Sequence, residues 1–224
     1  MLLKKEIYKE EIEKYYKSNC INFGDSILYE MCEKNPKHDS KDIIIGKIWL
    51  IGRSYAAAIE RRKSADAAES SEDFYDTIVA NKIYEIHNDL DARIAELNKY
   101  DCINEVNLRL ILETHGFLTR AYKDITNMNK RSLTSKYLHF HAPKMFYIYD
   151  SQANEAARKL INKNELLLSK YYEPSSVELI DYEYADFATR LFGLQEYIFN
   201  EYQLKLTPRQ IDTFLLEKRK SEFI

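Results

Sequence analysis

Turn-forming residues are scarce in this chain, and their scarcity is the feature that most limits its possible folds. Only five Gly and four Pro occur among 224 residues. A sheet of many short strands needs frequent tight turns, and such turns depend on Gly and Pro. The sequence therefore favours long helices joined by few connections.

Apolar residues recur every three or four positions along most of the chain, as they do on one face of a helix. No segment alternates strictly between apolar and polar residues, and no internal repeat is present. We predict an all-α fold of about eight or nine helices, forming a single domain over 1–224, either as one body or as two lobes with a cleft near 130–151. The clearest helical periodicity lies over 2–18, 41–63, 72–100, 104–124 and 177–202.

Several functional classes are excluded by missing motifs. No Walker loop, GxGxxG, HExxH or GxSxG motif occurs, which removes the common nucleotide-binding, zinc-protease and α/β-hydrolase classes. The three Cys form no CxxC pair, so neither a zinc site nor a disulfide framework is indicated. The N-terminus becomes charged at Lys4, unlike a secretory signal, and the apolar run 43–51 is too short to span a bilayer. We expect a reduced, cytoplasmic protein without membrane contact, cofactor or metal.

Positive charge is concentrated in one segment, although the whole chain has a net charge of -3. The segment 118–145 contains six Lys/Arg and one Asp, whereas 64–100 and 173–201 each have a net charge of -6. A basic face on an otherwise acidic protein is typical of a surface that contacts phosphates. A run of solvated Lys and Arg without a function fits the same pattern equally well.

The least ordinary stretch, 132–151, lies mostly within this basic segment. A short helix is predicted to begin at Ser132 and to end near His141, because a Pro follows two residues later. Asp150 lies at the N-cap of the next helix or one position before it. Lys136 would then face Asp150 across the turn. Such a pair combines a nucleophilic amine with an acid that stabilises a developing cation or assists proton transfer.

Two other interpretations of this stretch stay open. In the first, His139, His141 and Asp150 bind a metal. Residues two positions apart lie on different faces of a helix, so the two His meet only if the backbone leaves the helix. In the second, Lys136 is a surface residue, Asp150 only caps a helix, and the aromatic run is part of the core.

The segment 130–160 resembles DNA glycosylases of the helix-hairpin-helix superfamily, such as the 8-oxoguanine glycosylases. Their hairpin has the form Gly-x-Gly-x-Lys-x-Ala, and an apolar segment then leads to an Asp that opens a helix. Here 132–138 aligns with the hairpin, with Ser132 and Thr134 in place of the two Gly, and 143–150 aligns with the segment before the Asp. The family is all-helical, and some prokaryotic members excise modified bases from phage DNA.

The resemblance implies a DNA glycosylase that acts on duplex DNA containing a modified base, in repair or in antiviral defence. Lys136 would attack the sugar C1′ and displace the base, and Asp150 would stabilise the transition state. The base must leave the stack and enter a pocket, for which the candidates are Trp49, Arg53, Tyr55, Phe140, Tyr147 and Tyr149. The candidate phosphate ligands are Arg120, Lys123, Lys130, Arg131, Ser132, Thr134 and Lys144.

The same composition also fits a different class, a non-enzymatic helical module that binds nucleic acid or another protein. The two classes differ in what they require of Lys136 and Asp150. An enzyme needs both side chains in one cleft, whereas a module allows them to be separated and exposed.

Overall fold

The computed structural model describes residues 3–61, 74–173 and 179–221, and within these ranges the chain is helical without a β-strand. The all-α prediction is confirmed, but the described helices outnumber the eight or nine predicted. None of the helices in these ranges is long and apolar enough to cross a membrane. The helices are α1 Lys9–Tyr16, α2 Phe23–Lys34, α3 Lys41–Ser54, a π-helix Phe74–Val79, α4 Ala80–Glu85, α5 His87–Leu97, α6 Leu108–Thr126, α7 Arg131–His141, α8 Ser151–Leu160, α9 Glu165–Tyr171, α10 Tyr182–Tyr202 and α11 Pro208–Ser221.

The helix predicted over 41–63 is shorter than expected and ends at Ser54. Ala56 adopts a left-handed φ of 50°, and its neighbour Ala57 donates a backbone hydrogen bond of 2.8 Å to the Gly52 carbonyl. A Cβ at Gly52 would lie 3.1 Å from the Ala58 Cα, so the chain after α3 packs directly against the Gly52 backbone. A turn therefore stands where the sequence predicted the last residues of this helix. Residues 62 and 63 of the predicted helix lie outside the described ranges.

Three other predicted helices also differ from the structure. The segment 72–100 is divided into the π-helix, α4 and α5; its first two residues lie outside the described ranges. The helix predicted over 177–202 begins only at Tyr182, capped by Asp181, and residues 177 and 178 are likewise outside. The helix predicted over 2–18 begins at Lys9, because Leu3 instead forms an isolated antiparallel bridge with Ile161.

Helix α7 lies at the centre of the described hydrophobic core. Every side chain from Leu133 to His141 is buried, and α7 packs against α2, α3 and α6. Around this centre, α10 packs against α6 and α8, and α11 packs against α1 and α8. Because Lys136 lies on α7, core packing fixes the surroundings of its side chain.

Helix α6 approaches the chain before α10 so closely that Gly116 has no room for a side chain. A Cβ at this position would lie 2.1 Å from the Leu179 carbonyl oxygen. The close approach therefore requires a Gly inside a helix, where Gly otherwise costs roughly 0.5–1 kcal/mol relative to Ala.

We predict that Gly116→Ala lowers the free energy of unfolding by about 1–3 kcal/mol, because the added methyl group forces the two segments apart. The matched control is Gly46→Ala in α3, where a Cβ would meet nothing within 4 Å. That variant should raise the free energy of unfolding by about 0.5–1 kcal/mol. Urea unfolding followed by circular dichroism measures both, and equal effects of the two variants would contradict the close approach.

Candidate active site

Lys136 and Asp150 meet in the structure, as the sequence predicted. The Lys136 Nζ lies 3.4 Å from the Asp150 Oδ2, although fourteen positions separate the two residues. Lys136 lies in the second turn of α7, and its side chain is only 3% exposed, whereas the Asp150 side chain is 29% exposed. The pair therefore combines an amine that is almost shielded from water with a carboxylate that solvent can still reach.

The two carboxylate oxygens of Asp150 have different partners, one at the start of α8 and one at Lys136. It is the N-cap of α8, and its Oδ1 accepts hydrogen bonds from the backbone N–H groups of Gln152 at 3.0 Å and Ala153 at 2.9 Å. The predicted cap is therefore confirmed. Because Oδ1 is occupied by the helix terminus, Oδ2 is oriented toward Lys136.

Ser135 fixes the segment that leads to Asp150 against α7. Its Oγ accepts a hydrogen bond of 2.9 Å from the Tyr149 backbone N–H. The same Oγ lies 3.2 Å from the carbonyl oxygens of both Ser132 and Tyr149, within donating distance of each. Ser135 precedes Lys136 and Tyr149 precedes Asp150, so this contact sets the two functional groups side by side.

Tyr55 covers Lys136 from the side of α3. The Lys136 Nζ lies 5.4 Å from the centre of the Tyr55 ring and 3.5 Å from the Tyr55 carbonyl oxygen. It also donates a hydrogen bond of 3.0 Å to the Ser132 Oγ, one turn earlier on α7. The turn after α3, with Ala56 in the left-handed region, gives Tyr55 this position.

The pair borders a cleft of about 590 Å³, which we call the Lys136 cleft. Its walls come from three parts of the chain, 55–61, 128–136 and 149–152. The volume falls within the range of small-molecule sites in proteins. Among the described residues that line it, Asp150 is acidic, and the cationic ones are Arg61, Lys130, Arg131 and Lys136.

The predicted phosphate ligands are divided between the Lys136 cleft and its neighbour. Arg120 and Lys123 border an adjacent cleft of about 600 Å³, the Arg120 cleft, and Asn129 lines both clefts. In the Lys136 cleft, the Arg131 Nε lies 2.6 Å and 2.8 Å from the two carboxylate oxygens of Asp181, so part of its charge is compensated. Ser132 lines the same cleft, and the Lys130 Nζ donates to a backbone carbonyl across it.

Two of the predicted phosphate ligands lie elsewhere. Thr134 is fully buried, and its Oγ accepts a hydrogen bond of 3.2 Å from Thr119. It cannot contact a phosphate, because its face of α7 points into the core. Lys144 pairs with Asp101 at 2.8 Å and borders a different groove, lined also by Tyr29, which we call the Tyr29 groove.

Of the predicted base-pocket residues, Tyr55 and Tyr149 line the Lys136 cleft. Tyr147 does not, because it is fully buried and its hydroxyl donates to Gln195. Phe140 is also buried, with its ring 5.5 Å from that of Tyr55, and it borders the Tyr29 groove instead. Both residues extend the core.

Trp49 and Arg53 are also absent from the described lining of the Lys136 cleft. Trp49 is exposed on α3, and the Arg53 guanidinium lies 5.9 Å from its ring. Arg53 forms an ion pair with Glu60. Both side chains lie on the exposed face of α3.

His139 and His141 are structural residues of the core. The Nδ1 of His139 donates to the Phe146 carbonyl at 2.8 Å and its Nε2 lies 2.6 Å from the Tyr29 hydroxyl. The Nδ1 of His141 donates to the Tyr137 carbonyl at 2.8 Å. Burial lowers the pKa of His139 to about 3, so its ring is neutral. Within the described ranges, no three His, Cys, Asp or Glu are placed to hold a metal ion, and the metal interpretation gains no support.

Four charged residues near the pair were missed by the sequence analysis. Arg61 lines the Lys136 cleft, and Asp25, Arg209 and Asp212 form a buried group at Tyr55. Asp25 completes a capping box at the start of α2, and Arg209 and Asp212 lie in the first turns of α11. Acidic residues near helix starts are expected as caps, so the positions of Asp25 and Asp212 gave no functional signal.

Comparison of the chain with protein-family models, with curated proteins and with solved structures gave no significant match. The interpretation of the site therefore depends on its geometry. That geometry consists of a buried amine beside a capping carboxylate, in a cleft where cationic side chains predominate.

We predict that Ser135→Ala lowers the free energy of unfolding by about 1–3 kcal/mol, because the partly buried Tyr149 N–H loses its acceptor. The matched control is Ser169→Ala, which removes an exposed hydroxyl that donates to the Leu166 carbonyl at 3.0 Å. That control should change stability by about 0.5 kcal/mol or less. Urea unfolding measures both variants. A loss for Ser135→Ala no larger than that of the control would show that Ser135 does not fix the segment.

Proposed function

We propose that this protein is a DNA glycosylase that excises a modified base from DNA, with Lys136 as the nucleophile and Asp150 as the group that stabilises the transition state. The observation that carries the proposal is the 3.4 Å contact between the Lys136 Nζ and the Asp150 Oδ2 at a cationic cleft. The resemblance of 130–160 to helix-hairpin-helix glycosylases assigns the same roles to the same two residues. Residues 132–138, which the resemblance aligns with the hairpin of that family, lie within helix α7, so a correspondence with that hairpin stays a prediction.

The contacts of the pair suit an attack on the sugar. The neutral amine of Lys136 forms a bond to C1′ while the N-glycosidic bond breaks, and the base leaves with the bonding electrons. Asp150 faces the positive charge that develops on the sugar, where a fixed carboxylate stabilises the transition state. Its Oδ2 is also close enough to accept the proton that the Lys136 ammonium must lose. The carboxyl group is reached by solvent and passes that proton to water before attack, so Asp150 is ionised when the glycosidic bond breaks.

The charges around the cleft suit a phosphate backbone. Arg61 and Lys130 lie beside Lys136 in the same cleft. The α7 N-cap is Lys130, which has no side-chain acceptor, and a helix N-terminus favours a bound phosphate. Arg120 and Lys123 extend the basic surface into the adjacent cleft. Binding through these groups should weaken as salt concentration rises.

Two aromatic side chains in the Lys136 cleft suit a base that has left the stack. Tyr55 and Tyr149 both line the Lys136 cleft, and stacking of a base on an aromatic side chain contributes about 1–3 kcal/mol. The Asn154 amide donates to the Tyr149 hydroxyl at 3.3 Å, which limits rotation of that ring. The geometry does not select one base, so the substrate must come from a screen.

The test measures base release from duplexes that carry natural, oxidised, alkylated or glycosylated bases, together with borohydride trapping of a covalent adduct. We predict that Lys136→Gln and Asp150→Asn each lower the release rate at least about 100-fold, because each removes one reacting group. Asn caps helices about as well as Asp, so Asp150→Asn should keep the fold. Lys144→Gln and Asp101→Asn are the matched controls, because they remove another Lys–Asp pair, held at 2.8 Å, away from the Lys136 cleft.

Each outcome separates the possible interpretations. Release at the wild-type rate in both site variants would show that the site is assigned wrongly. Release without a trapped adduct would make Lys136 a binding residue rather than the nucleophile. Salt-sensitive DNA binding, without release of any base in the screen, would instead favour the non-enzymatic helical module.

A further inference from the structure

A second group of buried charges shares Tyr55 with the Lys136 site. The Arg209 guanidinium lies 5.7 Å from the centre of the Tyr55 ring, and the Lys136 Nζ lies 5.4 Å from the same centre. Tyr55 also lines a further cleft of about 450 Å³, the Asp212 cleft, together with Asp25, Arg209 and Asp212. The two groups of charges therefore lie within electrostatic reach of each other.

Arg209 directs its closest hydrogen bonds away from Asp212. Its Nε donates to the Tyr29 hydroxyl at 3.2 Å and its Nη2 donates to the Tyr55 hydroxyl at 2.8 Å. The Nη1 lies 3.6 Å from the Asp212 Oδ2, which is an ion-pair distance but too long for a good hydrogen bond. The Asp212 Oδ1 has no hydrogen-bond partner among the described residues, and it is buried.

The other carboxylates nearby are better satisfied. Asp25 accepts a hydrogen bond from the Tyr55 hydroxyl and one from the Asn22 backbone N–H at 3.4 Å. Asp150 caps α8 and contacts Lys136. If a proton is bound by this group, Asp212 is the carboxyl for which ionisation costs the most.

The charge balance of the whole group favours one bound proton. Two cations, Lys136 and Arg209, face three carboxyl groups, so full ionisation would leave an excess negative charge in a largely buried region. Such an excess is costly, and a buried acid commonly relieves it by taking up a proton. Consistent with this, burial raises the pKa of Asp212 to about 7; Arg209 and Lys136 oppose the rise, while Asp150 and Asp25 add to it.

The other acidic groups around Asp212, Glu217 and Glu155, are held by partners of their own. On α11 itself, Glu217 and Lys220 line the Asp212 cleft with Cys20, and Glu217 lies 2.7 Å from Lys14 of α1 and 2.8 Å from the Tyr15 hydroxyl. On the facing helix α8, Glu155 pairs with Lys159 and Arg219. The cleft connects Asp212 with solvent, so its proton can exchange.

We propose that Asp212 is a positioning residue for Lys136, which acts through its charge. When Asp212 is neutral, Lys136 has Asp150 as its counter-ion; when Asp212 ionises, the added negative charge holds Lys136 in its ammonium form. This inference rests on the proposed function for its catalytic consequence, because only the neutral amine is a nucleophile. Ionisation of Asp212 above neutral pH would therefore oppose attack on the sugar.

The first measurement follows the carboxyl of Asp212 directly and needs no DNA. The protein is labelled with ¹³C and ¹⁵N, and the Asp212 carboxyl signal is assigned in wild type through bonds from its own backbone amide. The signal of wild-type Asp212 should titrate near pH 7. Titration below about pH 5 would overturn the proposal, and this measurement stands even if the variant fails to fold.

The second measurement reads the effect of that charge on Lys136. Reductive methylation with formaldehyde and cyanoborohydride modifies neutral amines, and peptide mass spectrometry gives the rate at Lys136 relative to exposed Lys144. At pH 6, Lys136 should be labelled at similar rates in wild type and in Asp212→Asn, because Asp212 is already neutral in wild type. At pH 8, Lys136 should be labelled about tenfold faster in the variant, because removal of the Asp212 charge destabilises the ammonium form of Lys136. The matched control is Asp186→Asn, which neutralises another buried Asp, paired with Arg190 at 3.2 Å.

The pH dependence separates an electrostatic role from a structural one. If Asp212→Asn only loosened the site, Lys136 would be labelled faster in the variant than in wild type at both pH values. If the two proteins were labelled at equal rates at both pH values, Asp212 would not act on Lys136. Either result overturns the proposal, as would an effect of the same size in Asp186→Asn. Because these experiments use no substrate, absence of base release would count against the proposed function alone.

Discussion

The arrangement of the site depends on the contacts that the buried guanidinium of Arg209 makes. Arg209 is the second residue of α11. Its guanidinium lies close to the centres of three aromatic rings, those of Tyr29 at 5.9 Å, Tyr55 at 5.7 Å and Phe140 at 5.8 Å. These rings belong to α2, to the turn after α3 and to α7. A cation over an aromatic face is stabilising, and more so when it is desolvated. One side chain from the end of the chain thus joins helices from its first half to the centre of the core.

The two hydroxyl groups to which Arg209 donates, those of Tyr29 and Tyr55, make further hydrogen bonds of their own. On one side, Arg209 and Asp25 hold the hydroxyl of Tyr55, the residue that covers Lys136. On the other side, the Tyr29 hydroxyl lies against the Nε2 of neutral His139, whose Nδ1 donates to the Phe146 carbonyl. Phe146 belongs to the segment that leads to Asp150. The same group therefore supports the cover over the amine and the approach to the carboxylate.

How much of this could be predicted from the sequence depends on whether the signal was local. Helical periodicity and the cap at Asp150 are local signals, and they gave the fold class and the candidate pair. The inward face of Thr134 and the burial of Tyr147 follow from the central position of α7, which is a tertiary property. The end of α3 at Ser54 also depends on packing, because the following turn lies against the Gly52 backbone.

The charged residues that the sequence did not indicate also depend on tertiary packing rather than on a local signal. Asp25 and Asp212 lie near helix starts, where the sequence alone suggests only caps, and nothing in the sequence around Arg209 indicates its partners. Their common environment arises because α2, α11 and the turn after α3 converge at Tyr55. No spacing along the chain predicts that convergence, since Asp25 and Arg209 come from opposite ends of the protein.

The contact between Ser135 and Tyr149 also bears on how such a site can vary. The hydroxyl and the backbone groups that it holds align Lys136 with Asp150 at one end of the segment between them. The rest of that segment is tied to the core, because Ala142 and 145–148 are buried and the Phe146 carbonyl accepts a hydrogen bond from His139. The chain between the two functional groups therefore has little freedom to gain or lose residues. Proteins that share this site should then show a Ser-Lys pair followed by an Asp at a nearly constant separation.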